Sequence, residues 1–156
     1  MEYILNYDTA SKNMLQFSYK DKISIIPFNT GVYGPYTTYN GTDVDSLLKL
    51  IKDTEPSGST NIYGSINKAI ETLKDENSND YNLSVILMTD GHGNIGSFSE
   101  FKSNYLNINK DIPIYGILFG DADDYQLLEI SELTGAKVFD GKNNLLEAFK
   151  EVRGYN

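Results

Sequence analysis

The sequence predicts an α/β domain, a mostly parallel sheet covered by helices on both faces, and three observations carry that prediction. Short apolar runs rich in branched side chains recur at 22–28, 84–89 and 112–119, the pattern of strands buried on both faces. Helical stripes alternate with them: Val44, Leu47, Leu48 and Ile51 form one, and Ile62, Ile66, Ala69, Ile70 and Leu73 form another. Such alternation produces parallel strands joined by crossover helices. The run 84–89 then ends in Asp90-Gly91, a carboxylate at the carboxyl end of a strand, where ligands of parallel sheets bind.

At 156 residues the chain is read as one domain, 1–156, with its own core. Its net charge of −9 counts against nucleic acid or an anionic membrane as a partner, since both require a basic patch; cations or basic partners suit it better. The absence of cysteine excludes disulfides, a thiolate metal site and a thiol nucleophile. No apolar run approaches the roughly 18 residues of a spanning helix. Met1-Glu2-Tyr3-Ile4-Leu5 lacks the basic start and long apolar core of a signal peptide, so no membrane insertion by this segment is expected.

In chain order, residues 1–18 carry Ile4, Leu5, Met14, Leu15 and Phe17 and read as a helix that stops and restarts near Asp8-Thr9-Ala10-Ser11. Residues 22–28 are the first strand, with Pro27 predicting a bulge or an interrupted ladder because it has no N–H. The Gly-, Tyr- and Thr-rich stretch 31–41 predicts a loop with a short edge strand over 36–39. Thr42-Asp43-Val44-Asp45 has the spacing of a helix cap, and Pro56-Ser57-Gly58-Ser59-Thr60 ends the helix it opens. The next helix follows at once, so Thr60 lies in a loop at a helix N-terminus. After a polar connection over 74–82 comes the strand that ends at Asp90.

Ser97-Phe98-Ser99-Glu100 repeats the capping spacing for a helix to about Asn107, and 112–119 is a further strand. Gly120-Asp121-Ala122-Asp123-Asp124 turns into a helix bearing Leu127, Leu128, Ile130 and Leu133, stopped by Gly135. A short strand over 136–139 and a helix over 144–152, with Leu145, Phe149 and Val152 on one side, close the chain.

Several motifs invite chemical readings. Gly91-His92-Gly93-Asn94-Ile95-Gly96 has dinucleotide-fingerprint spacing between a strand and a helix, with Asp121 placed as the ribose-binding acid. A nucleotide-binding oxidoreductase is therefore the alternative from the enzyme class. Asp90 would set a carboxylate beside the pyrophosphate, however, and the helix starts at Ser97, after the glycines. Ser57-Gly58-Ser59-Thr60 lacks the lysine of a phosphate loop. Asp8-Thr9-Ala10-Ser11 reads as a turn or cap rather than an aspartyl nucleophile. His92, the sole histidine, sits in a glycine-rich loop where a solvated imidazole is the default, so no hydrolytic triad is expected. The acids Asp121, Asp123 and Asp124 could chelate Ca²⁺, but capping the following helix is their expected role. Tyr33, Tyr36 and Tyr39 are read as edge-strand packing rather than a partner-facing aromatic surface.

Thr60 and Asp90 stand apart, because both fall in loops on the side of the sheet where sites form. A hydroxyl and a carboxylate are hard oxygen ligands suited to Mg²⁺, Mn²⁺ or Ca²⁺. Mg²⁺ takes about six oxygens and usually keeps several waters, so a partly filled sphere leaves a position for a partner's carboxylate.

At these residues the chain resembles the von Willebrand factor A domain family in its bacterial form. The matching pieces are Asp21-Lys22-Ile23-Ser24-Ile25-Ile26-Pro27-Phe28 for the second strand, Gly58-Ser59-Thr60-Asn61-Ile62-Tyr63 for the threonine loop, 85–91 for the strand ending in Thr-Asp-Gly, and 115–124 with 127–135 for the late strand, turn and helix. The resemblance implies a three-layer Rossmann-like fold and a non-catalytic protein-interaction or adhesion-type module. It further implies a metal-ion-dependent adhesion site, in which Thr60 and Asp90 take the places of the threonine and the second aspartate. The implied cofactor is Mg²⁺, or Mn²⁺ or Ca²⁺, and the implied partner is a protein offering a carboxylate.

The chain departs from the family in lacking the Asp-x-Ser-x-Ser pentad that ends the first strand. In Asp8-Thr9-Ala10-Ser11-Lys12, Ala10 and Lys12 stand where the serines belong. The expectation is that residues 1–17 are the later part of the first helix, that the first strand lies outside this chain, and that Mg²⁺ binding by the chain alone is weak or absent. A structural module with a vestigial metal site is the remaining alternative. With family strand order 3-2-1-4-5-6, loss of strand one leaves a slot about 9.6 Å wide between 22–28 and 83–89. Either a strand from another chain, in a strand-completing complex or a homo-oligomer, or a segment outside this chain fills it, or the two neighbours close up and pair directly.

Overall fold

The computed structural model describes residues 2–13, 15–90, 92–120 and 125–155. Met14, Gly91 and the acidic cluster Asp121, Asp123 and Asp124, with the readings attached to them, lie outside the described residues. The elements in order are α1 (Glu2–Leu5), α2 (Tyr7–Lys12), β1 (Ile23–Ile25), β2 (Tyr36–Thr38), α3 (Asp45–Asp53), α4 (Ile62–Leu73), β3 (Val85–Thr89), α5 (Phe98–Ile108), β4 (Ile114–Leu118), α6 (Tyr125–Leu133), β5 (Val138–Asp140) and α7 (Leu145–Tyr155).

Among the described residues the strands form two sheets. β3, β4 and β5 make a parallel sheet, Val85 opposite Ile114, Thr89 opposite Leu118 and Gly116 opposite Val138. β1 and β2 make a separate antiparallel pair. Among the described residues β1 and β3 share no ladder, so the slot has not closed by direct pairing.

Alternation along β4 sorts the core into two layers. Ile114 and Leu118 point to a cluster built with Ile62, Ile66 and Ile70 of α4, Phe101 of α5 and Leu127 and Ile130 of α6. Tyr115 and Ile117 point the other way, to Ile4 and Ala10 of the N-terminal helices, Leu15 just beyond them, and Ala148, Phe149 and Val152 of α7. Gly116 is a glycine for a packing reason: a Cβ there would lie 3.1 Å from Leu127 Cδ2 and 3.2 Å from Val138 Cγ2. Its missing side chain lets α6 settle onto the sheet.

β4 outruns β5 at its start, which leaves the Ile114 amide without a strand partner on that edge. Two hydroxyls of α6 and its C-terminal turn supply one. Thr134 Oγ1 accepts from Ile114 N at 3.0 Å, and Ser131 Oγ donates to Ile114 O at 2.9 Å. All three residues are buried, so no water replaces a lost partner.

The structure moves some sequence-read boundaries. The N-terminal break falls at Asn6, in extended conformation, whose Oδ1 accepts from Thr9 N at 3.2 Å; Asp8 to Ser11 are therefore helical rather than a turn. The ladder of β1 ends at Ile25, before Pro27, whose carbonyl accepts from Tyr33 N. Thr42 does not cap α3: its hydroxyl donates to Asn40 Oδ1 at 2.7 Å, and the helix begins at Asp45 after Val44 with no side-chain cap. Ser97 caps α5 as its spacing predicts, accepting from Glu100 N at 3.3 Å.

Two measurements test this account. Thr134→Val keeps the shape but leaves the buried Ile114 N–H unpaired, so it lowers unfolding free energy by about 1–3 kcal/mol in urea titrations. The buried phenols of Tyr63 and Tyr105 are held above the ordinary 10.0, first by desolvation. A raised folded-state pKa means that stability is intact below pH 10 and is lost as pH climbs through the folded-state value. Urea midpoints should therefore hold to about pH 9.5 and fall above about pH 10, in step with tyrosinate absorbance.

Candidate functional site

The carboxyl ends of β3 and β4 and the N-terminus of α4 meet at one rim. Asparagines, rather than charged groups, join the loops there. Asn61 caps α4, its Oδ1 accepting from Gly64 N at 2.9 Å, while its backbone N donates to Asn29 O at 2.9 Å and its Nδ2 to Thr30 O at 3.3 Å. Thr30 Oγ1 accepts from Ser59 N at 3.0 Å, and Asn29 Nδ2 donates to Ser57 Oγ at 3.3 Å. The threonine loop is thus stapled to the chain leaving β1. Gly58, at φ +78°, has to be a glycine, since a Cβ there would sit 2.7 Å from Thr30 Oγ1.

Thr60 is tied to the loop that follows Asp90. Its N donates to Asn94 Oδ1 at 3.3 Å and its O accepts from Asn94 N at 3.1 Å. The Thr60 side chain is half-buried and Asp90 is exposed. Asp90 follows β3 directly, and Gly120, beyond β4, packs beside it: a Cβ on Gly120 would lie 3.1 Å from the Asp90 Cβ. The two residues therefore stand on the same rim, with no hydrogen bond between them among the described contacts.

These donors do not make a closed metal site. Among the described residues no group of three or more His, Cys, Asp or Glu side chains is arranged to hold an ion. Thr60 and Asp90 offer one hydroxyl and one carboxylate, against the roughly six oxygens that Mg²⁺ requires.

The glycine loop packs as a structural connection. Gly93 N donates to Gln126 Oε1 at 2.6 Å, and Gln126 Nε2 donates back to Gly93 O at 2.9 Å and to Tyr63 Oη at 3.4 Å. Cβ atoms on Gly93 and Gly96 would lie 3.1 Å from Ile62 and 3.2 Å from Tyr63. These glycines bring the loop against α4, and Gln126 takes the amide that a phosphate would need. Helix α5 opens only at Phe98, and His92 is exposed.

The tyrosines of the β2 region differ from their expected role. Tyr33, Tyr36 and Tyr39 are 49%, 43% and 76% exposed, so they are not packed into the edge; Lys22 Nζ lies 4.6 Å from the Tyr39 ring centroid. Sequence reasoning also passed over Asn29, Thr30, Asn94 and Gln126. Polar residues in loops and on a helix flank carry no periodic signal, and only the folded contacts give them work.

Comparison with known proteins bears on these observations. Among solved structures, the chain is similar to the crystal structure of an uncharacterized membrane spanning protein from Vibrio fischeri, at 18% sequence identity and a TM-score of 0.42, over 88% of this chain and 77% of that one. No curated protein matches it. The family model for the von Willebrand factor type A domain matches residues 7–151. That match spans nearly the whole chain and every element from α2 to most of α7, and the chain belongs to the von Willebrand factor type A domain family.

Proposed function

We propose that residues 1–156 act as one non-catalytic module that binds a protein partner at the rim carrying Thr60 and Asp90. Family membership supports an interaction role in general, because domains of this type serve as interaction modules. The observation that carries the specific reading is the bond pair between Thr60 and Asn94. It brings the threonine loop against the loop that starts at Asp90, whose carboxylate faces solvent.

A hydroxyl and a carboxylate select a hard cation, Mg²⁺, Mn²⁺ or Ca²⁺. Thr60 and Asp90 supply two donor groups, so among the described residues the rim is part of a site that needs further oxygen donors. An acidic partner meets a chain of net charge −9 and is repelled by it. Tight recognition of a carboxylate by these residues alone is therefore not expected.

Paramagnetic NMR tests the assignment. Mn²⁺ added to the ¹⁵N-labelled chain should broaden amides near residues 60 and 90 first, and only at about millimolar concentration. Asp90→Asn should remove the effect. Broadening centred on another part of the chain rejects the site, and calorimetry giving micromolar Mg²⁺ affinity rejects its incompleteness. An unchanged NADH fluorescence on mixing is expected as well; enhancement would favour the oxidoreductase alternative.

A further inference from the structure

The loop that joins β1 to β2 carries a tandem repeat, Gly31-Val32-Tyr33-Gly34-Pro35-Tyr36. Each tyrosine ring rests against the glycine two positions before it. A Cβ on Gly31 would sit 3.1 Å from Tyr33 Oη and 3.2 Å from its Cζ, and a Cβ on Gly34 would sit 2.8 Å from Tyr36 Cδ2. The missing side chains let both rings settle on the loop backbone. Neither ring belongs to a core cluster, and both remain exposed.

The loop beneath the rings is fixed by its own bonds. Asn29 Oδ1 accepts from Gly31 N at 2.9 Å and from Tyr33 Oη at 3.2 Å, while Asn29 N donates to Gly31 O at 2.9 Å. Tyr33 N donates to Pro27 O at 2.9 Å, and Phe28 and Val32 form a bridge between the two arms. Asn29 Nδ2 reaches Ser57 Oγ, which joins the tyrosine loop to the loop before Thr60. Aromatic rings held in place before a partner arrives lose little freedom when it docks.

Charge then narrows what these rings can receive. Segments 23–42 and 56–67, which meet at this loop, contain no Asp, Glu, Lys or Arg, although charged residues make up 22% of the chain. Two other exposed tyrosines are served by the chain's own cations: Lys20 Nζ lies 5.8 Å from the Tyr19 ring centroid and Lys22 Nζ lies 4.6 Å from that of Tyr39. Among the described residues Tyr33 and Tyr36 carry no such cation. The face of an aromatic ring is the negative pole of its quadrupole. These two stand on a chain of net charge −9, and the exposed Glu55 lies two positions before Ser57. The surface attracts positive charge, and neither segment supplies any.

We propose that Tyr33 and Tyr36 form a docking surface for an arginine-bearing segment of a protein partner, whose guanidinium groups stack on the two rings. The two residues are three positions apart, at most about 11 Å along the chain, so one short extended segment reaches both. A guanidinium is planar and more weakly hydrated than an ammonium, which suits it to stacking on an exposed ring. A neutral occupant, such as an oligosaccharide or a proline-rich segment, would cover the rings but draw nothing from the charge of the chain, and an acidic one would be repelled. The inference goes beyond the cation reading of the rim and does not depend on it.

The test uses the full chain with ¹³C-labelled tyrosine rings and a fluorescent peptide, Gly-Ser-Arg-Gly-Ser-Arg-Gly-Ser. On titration the ring resonances of Tyr33 and Tyr36 should shift ahead of those of the other tyrosines. Binding followed by anisotropy should weaken about fivefold or more when both residues are changed, Tyr33→Leu with Tyr36→Leu. Changing both to Phe keeps the rings and should retain binding. Citrulline in place of each arginine keeps the shape without the charge and should cost as much as the leucine changes. The ring shifts are read on the unaltered chain, so a leucine variant that fails to fold leaves the test intact. Binding that leaves both rings unmoved would mean diffuse attraction to an acidic protein and overturn the proposal. Equal binding of the citrulline peptide, or larger shifts of the same rings with cellohexaose or oligoproline, would assign the surface to a neutral occupant and overturn it too. Absence of binding at millimolar peptide would have the same consequence.

Discussion

The parallel register of β4 with both of its neighbours is the constraint on which the described fold depends. A central strand has to satisfy two edges and two faces at once, and no water reaches it to correct a shortfall. β4 meets this demand by different means along its length. β3 and β5 pair most of its backbone, and Thr134 and Ser131 stand in where β5 has not yet begun. Gly116 gives up a side chain so that Leu127 can approach. Ile114 with Leu118 on one face and Tyr115 with Ile117 on the other then hold α4, α5 and α6 apart from α7 and the N-terminal helices. The positions of those helices follow from that strand, whereas α3 packs through Leu47 in a cluster with Leu5, Ile23 and Ile25.

The loops at the carboxyl end of the sheet show how a rim can be ordered without charge. The side-chain amides of Asn61 and Asn94 pair with backbone of another loop, that of Asn29 donates to the Ser57 hydroxyl, and Gln126 grips Gly93 at both its N–H and its C=O. Amide side chains suit this task because one group both donates and accepts. Close approach supplies the rest, through Gly58, Gly93 and Gly96, which sit where a Cβ would meet Thr30, Ile62 and Tyr63. In the pattern that resembles a nucleotide fingerprint, Gly93 and Gly96 are explained by these contacts with α4. The same spacing serves different ends according to what occupies the amides.

Much of this was legible in the residues, for reasons that differ by element. Long stripes such as Ile62, Ile66 and Ile70 and the run 85–89 carry periodicity that few alternatives can mimic, and both appear where expected. Ser97 capped its helix and Thr42 did not, although both have the same spacing. Asn40 captured the Thr42 hydroxyl in a local turn first, a competition among short-range bonds that spacing cannot decide. Asn6 similarly moved the N-terminal break by capping α2. At the rim, Thr60 and Asp90 could be picked out because their residue types suit a hard cation. The amides that tie the loop after Asp90 to the Thr60 loop and to α6 could not, since their partners lie 34 and 33 positions away. The exposure of Tyr39 was also hidden, because an aromatic on an edge strand reads the same whether or not a neighbour covers it.

The disagreement between pattern and burial in β3 is of another kind. Val85, Ile86, Leu87 and Met88 are written as a strand sealed on both faces, and β4, written the same way, is sealed. Natural sequences keep local pattern and global fold in agreement except where function intervenes. Half-burial recurs in β1 and in β5, each paired along one edge only among the described residues, so a generally loose core does not explain it. β4 is paired along both of its edges and β3, among the described residues, along one. That difference in pairing accounts for the full burial of one strand and the half-burial of the other.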